Sequence, residues 1–248
     1  MIHTDRLKDK VALITGASSG IGQVTAEKLH TLGMRCALVA RRRPRLEQLS
    51  EKLGKDRTRV IEADLSDAAA AETVVQQTLD HFGQIDLLVN NAGVMYLGPV
   101  DDADLNDWQQ MLAINAMGLM AMARAVLPHM MQRKDGHIIN ISSTLGREAY
   151  EISAAYSMTK FGVVGFREGL RRECRPHNIR VSIIEPGATR TELHGNVRDT
   201  RVKDWLDSRM NEMTTLEAED VAETIAFAAA LAPRAMAYEI TLRPTEQP

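Results

Sequence analysis

Cysteine is scarce in this sequence. Among its 248 residues only Cys36 and Cys174 are cysteines, and they stand neither in a CxxC pair nor at a spacing typical of metal ligands. The sequence therefore predicts no metal site. Both cysteines are predicted to be small buried residues in a protein of the reducing cytoplasm.

A net positive charge, long apolar runs and linker-like stretches are also lacking. The net charge is -3, which argues against a nucleic-acid partner. Residues 1–6 form no apolar targeting core, and no apolar run approaches the length of a membrane span, so we expect no membrane partner and a cytoplasmic location. No Pro/Gly/Ser-rich stretch or repeat interrupts the chain, which predicts a single domain over residues 1–248.

What the sequence does contain is a regular alternation of short apolar runs, which predict strands, with longer amphipathic segments, which predict helices. The predicted strands span residues 11–15, 35–40, 58–62, 85–89, 137–141, 180–184 and 236–242. The predicted helices span residues 21–32, 45–53, 67–82, 104–132, 153–175 and 217–231. Because right-handed crossovers join such strands, the pattern predicts an α/β, doubly wound fold with a parallel sheet covered by helices on both faces.

The alternation lapses between Gly187 and Thr215. This stretch is polar and charged, with one helix-like patch over residues 205–213. It leaves the carboxyl end of a predicted strand, which is where doubly wound sheets bind their ligands. We therefore expect residues 187–215 to form a substrate lid.

A glycine-rich turn, Thr15 to Gly22, joins the first strand to the first helix. Its glycines, Gly16, Gly20 and Gly22, permit a tight turn and the close approach of a pyrophosphate to the helix N-terminus. Their spacing differs from the common G-x-G-x-x-G fingerprint. The strand before the turn and the helix after it favour a nucleotide-binding turn over an ordinary connection.

A run of arginines follows the second predicted strand. A cofactor with a free ribose 2′-hydroxyl would be expected to meet a carboxylate here, and none is present. Arg41, Arg42, Arg43 and Arg45 offer guanidinium groups, which are bidentate donors for a 2′-phosphate. The pattern favours NADP(H) over NAD(H), with Arg41 and Arg42 directed toward the phosphate and Arg43 and Arg45 directed away.

Tyr156 and Lys160 stand four residues apart on a predicted helix, one turn from each other. A phenol has a pKa of about 10, and a nearby ammonium favours the phenolate, so we expect Lys160 to lower the pKa of Tyr156. Ser143 follows an apolar run and is placed to hydrogen-bond the same substrate oxygen. The three residues suit proton transfer to and from an alcohol or carbonyl oxygen.

Several motifs together resemble the single-domain branch of the short-chain dehydrogenase/reductase family. They are Thr15 to Gly22, Asn90-Asn91-Ala92-Gly93, Asn115, Ser143, Tyr156-x-x-x-Lys160 and Pro186-Gly187-x-x-x-Thr191. The resemblance implies a Rossmann fold with a seven-stranded parallel sheet in the order 3-2-1-4-5-6-7. Residues 93–100 and 242–247 are further similar to the subgroup that holds clavulanic acid (clavaldehyde) dehydrogenase and NADP-dependent 3-hydroxy-acid dehydrogenases.

The resemblance also implies the contacts of the NADP(H) cofactor and the roles of the catalytic residues. The glycine turn would hold the phosphates through Gly16, Ser18, Ser19, Gly20, Ile21 and Gly22. Adenine, ribose and nicotinamide would be bordered in turn by Asp64 and Leu65, by Asn90, Ala92 and Gly93, and by Pro186, Gly187, Thr189 and Thr191. Tyr156 would be the acid–base, Lys160 would also bind the nicotinamide ribose, and Ser143 would stabilise the oxyanion. Asn115 would hold a water molecule against Lys160, and Ser142 is the alternative to Ser143, since neighbours on a strand point to opposite sides.

The substrate and the oligomeric state are indicated less directly. Apolar walls are predicted from Met95, Leu145, Tyr150, Ile152 and Leu193. Contacts to a polar or carboxylate-bearing substrate are predicted from Arg147, Glu148, Arg190 and His194. In the family, helices equivalent to the methionine-rich 104–132 and to 153–175 pair across a two-fold axis, which implies a homodimer or homotetramer.

The predicted function is NADP(H)-dependent reduction of an aldehyde or ketone to an alcohol, or the reverse reaction. A 3-hydroxy-acid dehydrogenase working in the oxidative direction is one alternative. An NADP-binding regulatory protein without turnover is another, because fold does not fix function. The Tyr–Lys spacing excludes an enoyl reductase of this fold, and the lack of an acidic residue after the second strand argues against a sugar-nucleotide epimerase.

Overall fold

The computed structural model describes residues 4–197 and 199–247. Its seven strands form one sheet in the order β3-β2-β1-β4-β5-β6-β7, and all of the pairings are parallel. The strands are β1 (Val11–Thr15), β2 (Arg35–Ala40), β3 (Thr58–Glu62), β4 (Leu87–Asn90), β5 (Gly136–Ile141), β6 (Ile179–Pro186) and β7 (Glu239–Leu242). The predicted doubly wound Rossmann fold is confirmed.

Helices cover both faces of this sheet. They are α1 (Gly20–Thr31), α2 (Arg43–Leu53), α3 (Ala70–Phe82), α4 (Leu105–Met111), α5 (Leu119–Arg133), α6 (Ala154–Cys174), α7 (Thr200–Glu212) and α8 (Ala218–Ala230). One core cluster packs α1, α2 and α8 against residues such as Ile14, and the other packs α3, α5 and α6 against residues such as Leu13. Neighbouring strand residues thus serve opposite cores, as the two-residue period of a strand requires.

Most helices start within two residues of the predicted positions, but two start three or five residues away, and in both a carboxylate binds the backbone at the helix start. α3 begins at Ala70 and not at residue 67, since the Asp67 carboxylate accepts a hydrogen bond from the Ala69 amide and holds a turn before the helix. α7 begins at Thr200, five residues before the predicted patch, because Asp199 accepts from the amides of Arg201 and Val202 as its N-cap.

The predicted helix 104–132 is continuous over 105–133 but contains a π-helical stretch, Leu112–Gly118, between α4 and α5. This helix is long and apolar enough to cross a membrane by length and composition alone, so the expectation that no such run exists is wrong. Met122, Val126 and Met130 on its inner face are fully buried in the core of the sheet. Met117 and Met120 lie on the outer face and are exposed.

Segment 187–215 leaves the end of β6 and contains a short 3-10 helix (Glu192–Asn196) followed by α7. Both of its ends are bound by the chain's last residues. The Gln247 side-chain oxygen accepts from the Ala188 amide at 3.0 Å, and the Glu246 carboxylate accepts from the Thr214 amide at 2.8 Å. The segment is therefore attached to the body of the protein at each end.

Candidate active site

A cleft of about 860 Å³ opens at the carboxyl ends of the strands and is covered by segment 187–215. Most of the residues predicted for the cofactor and for catalysis line it. They are Gly16, Ser18, Ser19, Gly20, Ile21, Arg41, Arg42, Asp64, Leu65, Ala92, Gly93, Ser143, Tyr156, Lys160, Pro186, Gly187, Thr189 and Thr191. Gly22, Asn90 and Asn115 lie behind this surface.

The glycine turn is held in a conformation that side chains would disturb. Gly16 and Gly20 have φ values of +68° and +52°, in the left-handed region that favours glycine. A Cβ on Gly22 would lie 2.3 Å from the Gly16 carbonyl oxygen, so only glycine fits there. Asn91 fixes the turn from outside by donating its side-chain amide to the Thr15 carbonyl oxygen at 2.9 Å.

Asn91, and not Asn90, is the asparagine that faces the cleft at the end of β4. The Asn90 side chain is buried and donates to Asn140 on β5 at 3.0 Å. The Asn90 side chain therefore points away from the cleft, and a contact of Asn90 with the cofactor ribose stays a prediction. Adjacent side chains point to opposite sides, and the Asn-Asn pair gave no signal as to which of the two would face the ligand.

Arg42 lies at the end of β2 and contacts the glycine turn. Its guanidinium donates to the hydroxyls of Ser18 at 3.1 Å and Ser19 at 2.5 Å. Arg41 also lines the cleft, whereas Arg43 points away and pairs with Glu47 on its own helix at 2.8 Å. Arg45 does not line the cleft either, and together with Arg42 it binds the carboxylate of Glu192 in segment 187–215.

Tyr156 and Lys160 lie in the first two turns of α6, and both side chains are buried. The Lys160 ammonium lies 5.6 Å from the centroid of the Tyr156 ring and donates to the Ile141 carbonyl oxygen at 3.0 Å. Ser143 follows β5 and lines the cleft with Tyr156, and its hydroxyl acts to lower the pKa of the Tyr156 phenol. Ser142 points the other way and donates to the Lys160 carbonyl oxygen at 3.1 Å, so Ser143 is the serine directed at the phenol.

Burial determines the acid–base properties of these two groups. It raises the pKa of Tyr156 above its ordinary value, and the hydrogen bond with Ser143 acts in the lowering direction. The expected lowering of the Tyr156 pKa by Lys160 is therefore not the dominant effect in this structure. Burial also lowers the pKa of Lys160 to about 8, because the fold removes the ammonium from water. At neutral pH the phenol is protonated and the amine is mainly charged.

Asn115 lies in the middle of the π-helical stretch and is almost fully buried. Its side-chain oxygen accepts from the Val94 amide at 2.8 Å, and its nitrogen donates to the Val94 carbonyl oxygen at 2.9 Å and to Thr159 at 3.2 Å. The side chain thus fixes the backbone that follows Gly93, a residue of the cleft wall. The water-mediated contact with Lys160 stays a prediction.

The part of the cleft beyond Tyr156 is mainly apolar. Of the predicted substrate-pocket residues, Met95, Leu145, Tyr150, Ile152, Leu193 and His194 line it. Arg147 and Glu148 do not, because Arg147 pairs with Glu185 and Glu239 and Glu148 pairs with Arg243. Arg190 is exposed on segment 187–215. Sequence reasoning missed the α7 residues Trp205, Leu206, Arg209 and Met210, which close this end of the cleft.

The donor groups of the cleft fit a phosphorylated dinucleotide. The turn offers backbone amides at the start of α1, Ser18 and Ser19 offer hydroxyls, and Arg42 offers a guanidinium beside them. The buried Lys160 ammonium lies at the other end of the cleft, next to Gly93. A Cβ built on Gly93 would lie 3.8 Å from the Lys160 Nζ atom. Among the described residues, no group of three or more His, Cys, Asp or Glu side chains is placed to hold a metal ion.

Known proteins share this sequence pattern and this fold. A family model described as short chain dehydrogenase matches residues 10–202. An uncharacterized oxidoreductase of Staphylococcus saprophyticus subsp. saprophyticus is 35% identical over 245 residues, covering 98% of this chain and 99% of that protein. The closed form of serine dehydrogenase complexed with NADP+ is 33% identical, with a TM-score of 0.90 over 96% of each chain. The 3-ketoacyl-(acyl-carrier-protein) reductase from Brucella melitensis complexed with NADH is 28% identical, with a TM-score of 0.86 over 95% of this chain and 97% of that one.

Proposed function

Because the chain belongs to the short-chain dehydrogenase family of oxidoreductases, we propose that it interconverts a carbonyl compound and an alcohol with NADP(H) as cofactor. The observation that carries the proposal is the meeting of Tyr156, Ser143 and Lys160 in the wall of one cleft with the glycine turn. NADP(H), and not NAD(H), is favoured by the guanidinium of Arg42 beside Ser18 and Ser19. When bound, the nicotinamide supplies or accepts the hydride.

The chain's own residues account for the movement of the proton. In the reductive direction the Tyr156 phenol, kept protonated by its raised pKa, gives its proton to the substrate oxygen. Ser143 is placed to donate to the same oxygen as negative charge develops on it. The Lys160 ammonium beside the ring stabilises the phenolate that remains. In the oxidative direction the same groups act in reverse.

Segment 187–215 is proposed to act as a lid over the substrate. It contributes the apolar residues Leu193, Leu206 and Met210 to the cleft, which would exclude water from the reacting carbonyl. The substrate is then a small or medium aldehyde or ketone with an apolar part. Helices α4, α5 and α6 leave apolar side chains on the surface, which supports a homodimer or homotetramer. We also propose a cytoplasmic location.

A 3-hydroxy-acid dehydrogenase working in the oxidative direction is the second candidate. One neighbour in structure is a serine dehydrogenase, and serine is itself a 3-hydroxy acid. In this chain His194 and Arg209 stand in the cleft, where they could meet a carboxylate. An NADP-binding regulatory protein without turnover has less support, since such a protein has no need of the complete Tyr156–Lys160–Ser143 arrangement.

The test is the substitution Tyr156→Phe, which removes only the hydroxyl. We expect NADPH consumption with a panel of aldehydes and ketones, and NADP+ reduction with 3-hydroxy acids, to fall by at least about a thousandfold. Binding of NADPH, followed by its fluorescence, should persist. Undiminished turnover in the variant would contradict the role given to Tyr156, and a wild-type protein that binds NADPH but turns over none of the panel would favour the regulatory reading.

A further inference from the structure

One carboxylate of segment 187–215 reaches the arginines at the end of β2. Glu192 accepts from Arg42 at 2.8 Å and from Arg45 at 2.7 and 2.8 Å, although 150 and 147 residues separate the partners. The same Arg42 guanidinium donates to Ser18 and Ser19 in the glycine turn. Glu192 thus occupies part of the donor set that the proposed function gives to the 2′-phosphate of the cofactor.

These ion pairs form at the surface, where a competing anion can replace Glu192 as the partner of an arginine. The side chains of Arg42, Arg45 and Glu192 are 44%, 46% and 54% exposed, so water screens their attraction. The two guanidiniums lower the pKa of Glu192, which keeps its carboxylate charged at neutral pH. A phosphate monoester carries between one and two negative charges and would therefore be repelled by Glu192 while it competes for Arg42.

Glu192 also stands next to the contact between segment 187–215 and the glycine turn. Thr191 precedes it, and a Cβ on Gly20 would lie 3.3 Å from the Thr191 side chain. Displacement of Glu192 from Arg42 therefore removes a polar link at the place where the segment touches the turn. A ligand without a 2′-phosphate has no group that would displace it.

We propose that Glu192 is a specificity-determining residue, an internal carboxylate that competes with the cofactor's 2′-phosphate for Arg42. Binding of a 2′-phosphorylated nucleotide, but not of its unphosphorylated counterpart, then loosens the start of segment 187–215. This inference rests on the proposed NADP(H) specificity. It goes beyond that proposal in assigning to the chain its own competitor for the phosphate site.

The test compares adenosine 2′,5′-bisphosphate with 5′-AMP by calorimetric titration, because the two ligands differ only in the 2′-phosphate. In Glu192→Gln the bisphosphate should bind about three- to tenfold more tightly than in the wild type, while the affinity for 5′-AMP stays within about twofold. Glu47→Gln is the matched control. It removes the same charge from the same region, where Glu47 pairs with Arg43, and it should leave the selectivity between the two ligands unchanged.

A second readout follows amide hydrogen exchange in residues 191–197 of the wild type. The bisphosphate should increase exchange there, and 5′-AMP should not. Unchanged selectivity in Glu192→Gln, or equal exchange with both ligands, would overturn the inference. Both measurements are independent of turnover, so they separate it from the catalytic proposal. If the wild type binds the bisphosphate no more tightly than 5′-AMP, the proposed NADP(H) specificity fails and the competition with it.

Discussion

Lys160 carries a charge that its surroundings solvate poorly. Its ammonium is buried and donates to one backbone carbonyl, that of Ile141. Burial lowers its pKa from 10.5 to about 8, which means that the folded protein disfavours the protonated form. The proposed chemistry needs Lys160 in its charged state, and burial of that charge lowers the stability of the folded protein.

We predict that Lys160→Met raises the free energy of unfolding at pH 7 by about 1–3 kcal/mol while abolishing turnover. Between pH 8 and 10.5 the unfolded chain binds more protons at this site than the folded one, so the wild type gains stability as pH rises through that window. The difference in the free energy of unfolding between the variant and the wild type should therefore shrink from pH 8 upward. Urea denaturation of both proteins from pH 6 to 10 measures it.

Lys55→Met provides the control for that experiment. Lys55 is 71% exposed and pairs with Glu51 on the surface of the protein. Its substitution should change the stability little and without the same dependence on pH. A loss of stability in Lys160→Met at pH 7, with the control unchanged, would show that the buried ammonium is a net stabilising group.

At the scale of the element, the π-helical stretch Leu112–Gly118 determines where Asn115 points. The wider turn is an irregularity within the helix 105–133 and places the asparagine amide against both backbone groups of Val94. Because Val94 follows Gly93, the helix and the cleft wall are held together by one side chain. Asn115 therefore acts first as a positioning residue.

We predict that Asn115→Ala lowers the free energy of unfolding by about 1–3 kcal/mol, because it leaves the buried amide and carbonyl of Val94 unpaired. The wall at Gly93 should loosen, so the dissociation constant for NADPH should rise as well. Chemical denaturation and fluorescence titration check the two effects. Asn106→Ala, which removes an exposed amide from the start of α4, should reproduce neither.

Sequence periodicity was sufficient for the strands, for most of the helices and for a parallel sheet, because these depend on local pattern and on the rules of parallel crossovers. The order of the strands was predicted from the family resemblance. The sequence was insufficient wherever the direction of a side chain depends on residues that are distant in the chain. The choice between Asn90 and Asn91, the turn of Arg45 toward Glu192 and the pairing of Arg147 with Glu185 depend on contacts across the fold. The π-helical stretch was missed because it does not change the apolar pattern of the helix.

On the scale of the whole molecule, the helix 105–133 and α6 both expose large apolar side chains. Leu112 and Met120 on the outer side of the helix 105–133, and Met158 and Phe161 on α6, are between 38% and 56% exposed. Three glycines of α6, Gly162, Gly165 and Gly169, leave open space beside them. An exposed apolar surface of this kind favours association, in agreement with the proposed homodimer or homotetramer.

We predict that Phe161→Lys at least halves the mass of the assembly, because it places a charge among these exposed apolar side chains. Sedimentation velocity or light scattering after gel filtration measures the mass. Phe227→Lys is the control, since Phe227 is similarly exposed on α8, on the opposite face of the sheet, and its substitution should leave at least a dimer. A wild-type mass equal to that of the Phe161→Lys protein would count against the surface.

The attachment of segment 187–215 by Gln247 and Glu246 has a mechanical consequence. These two adjacent residues bind the two ends of the segment, at Ala188 and at Thr214. The distance between the two ends is therefore restrained while both hydrogen bonds hold. Any opening of the cleft mouth that keeps both hydrogen bonds must therefore move segment 187–215 as one unit.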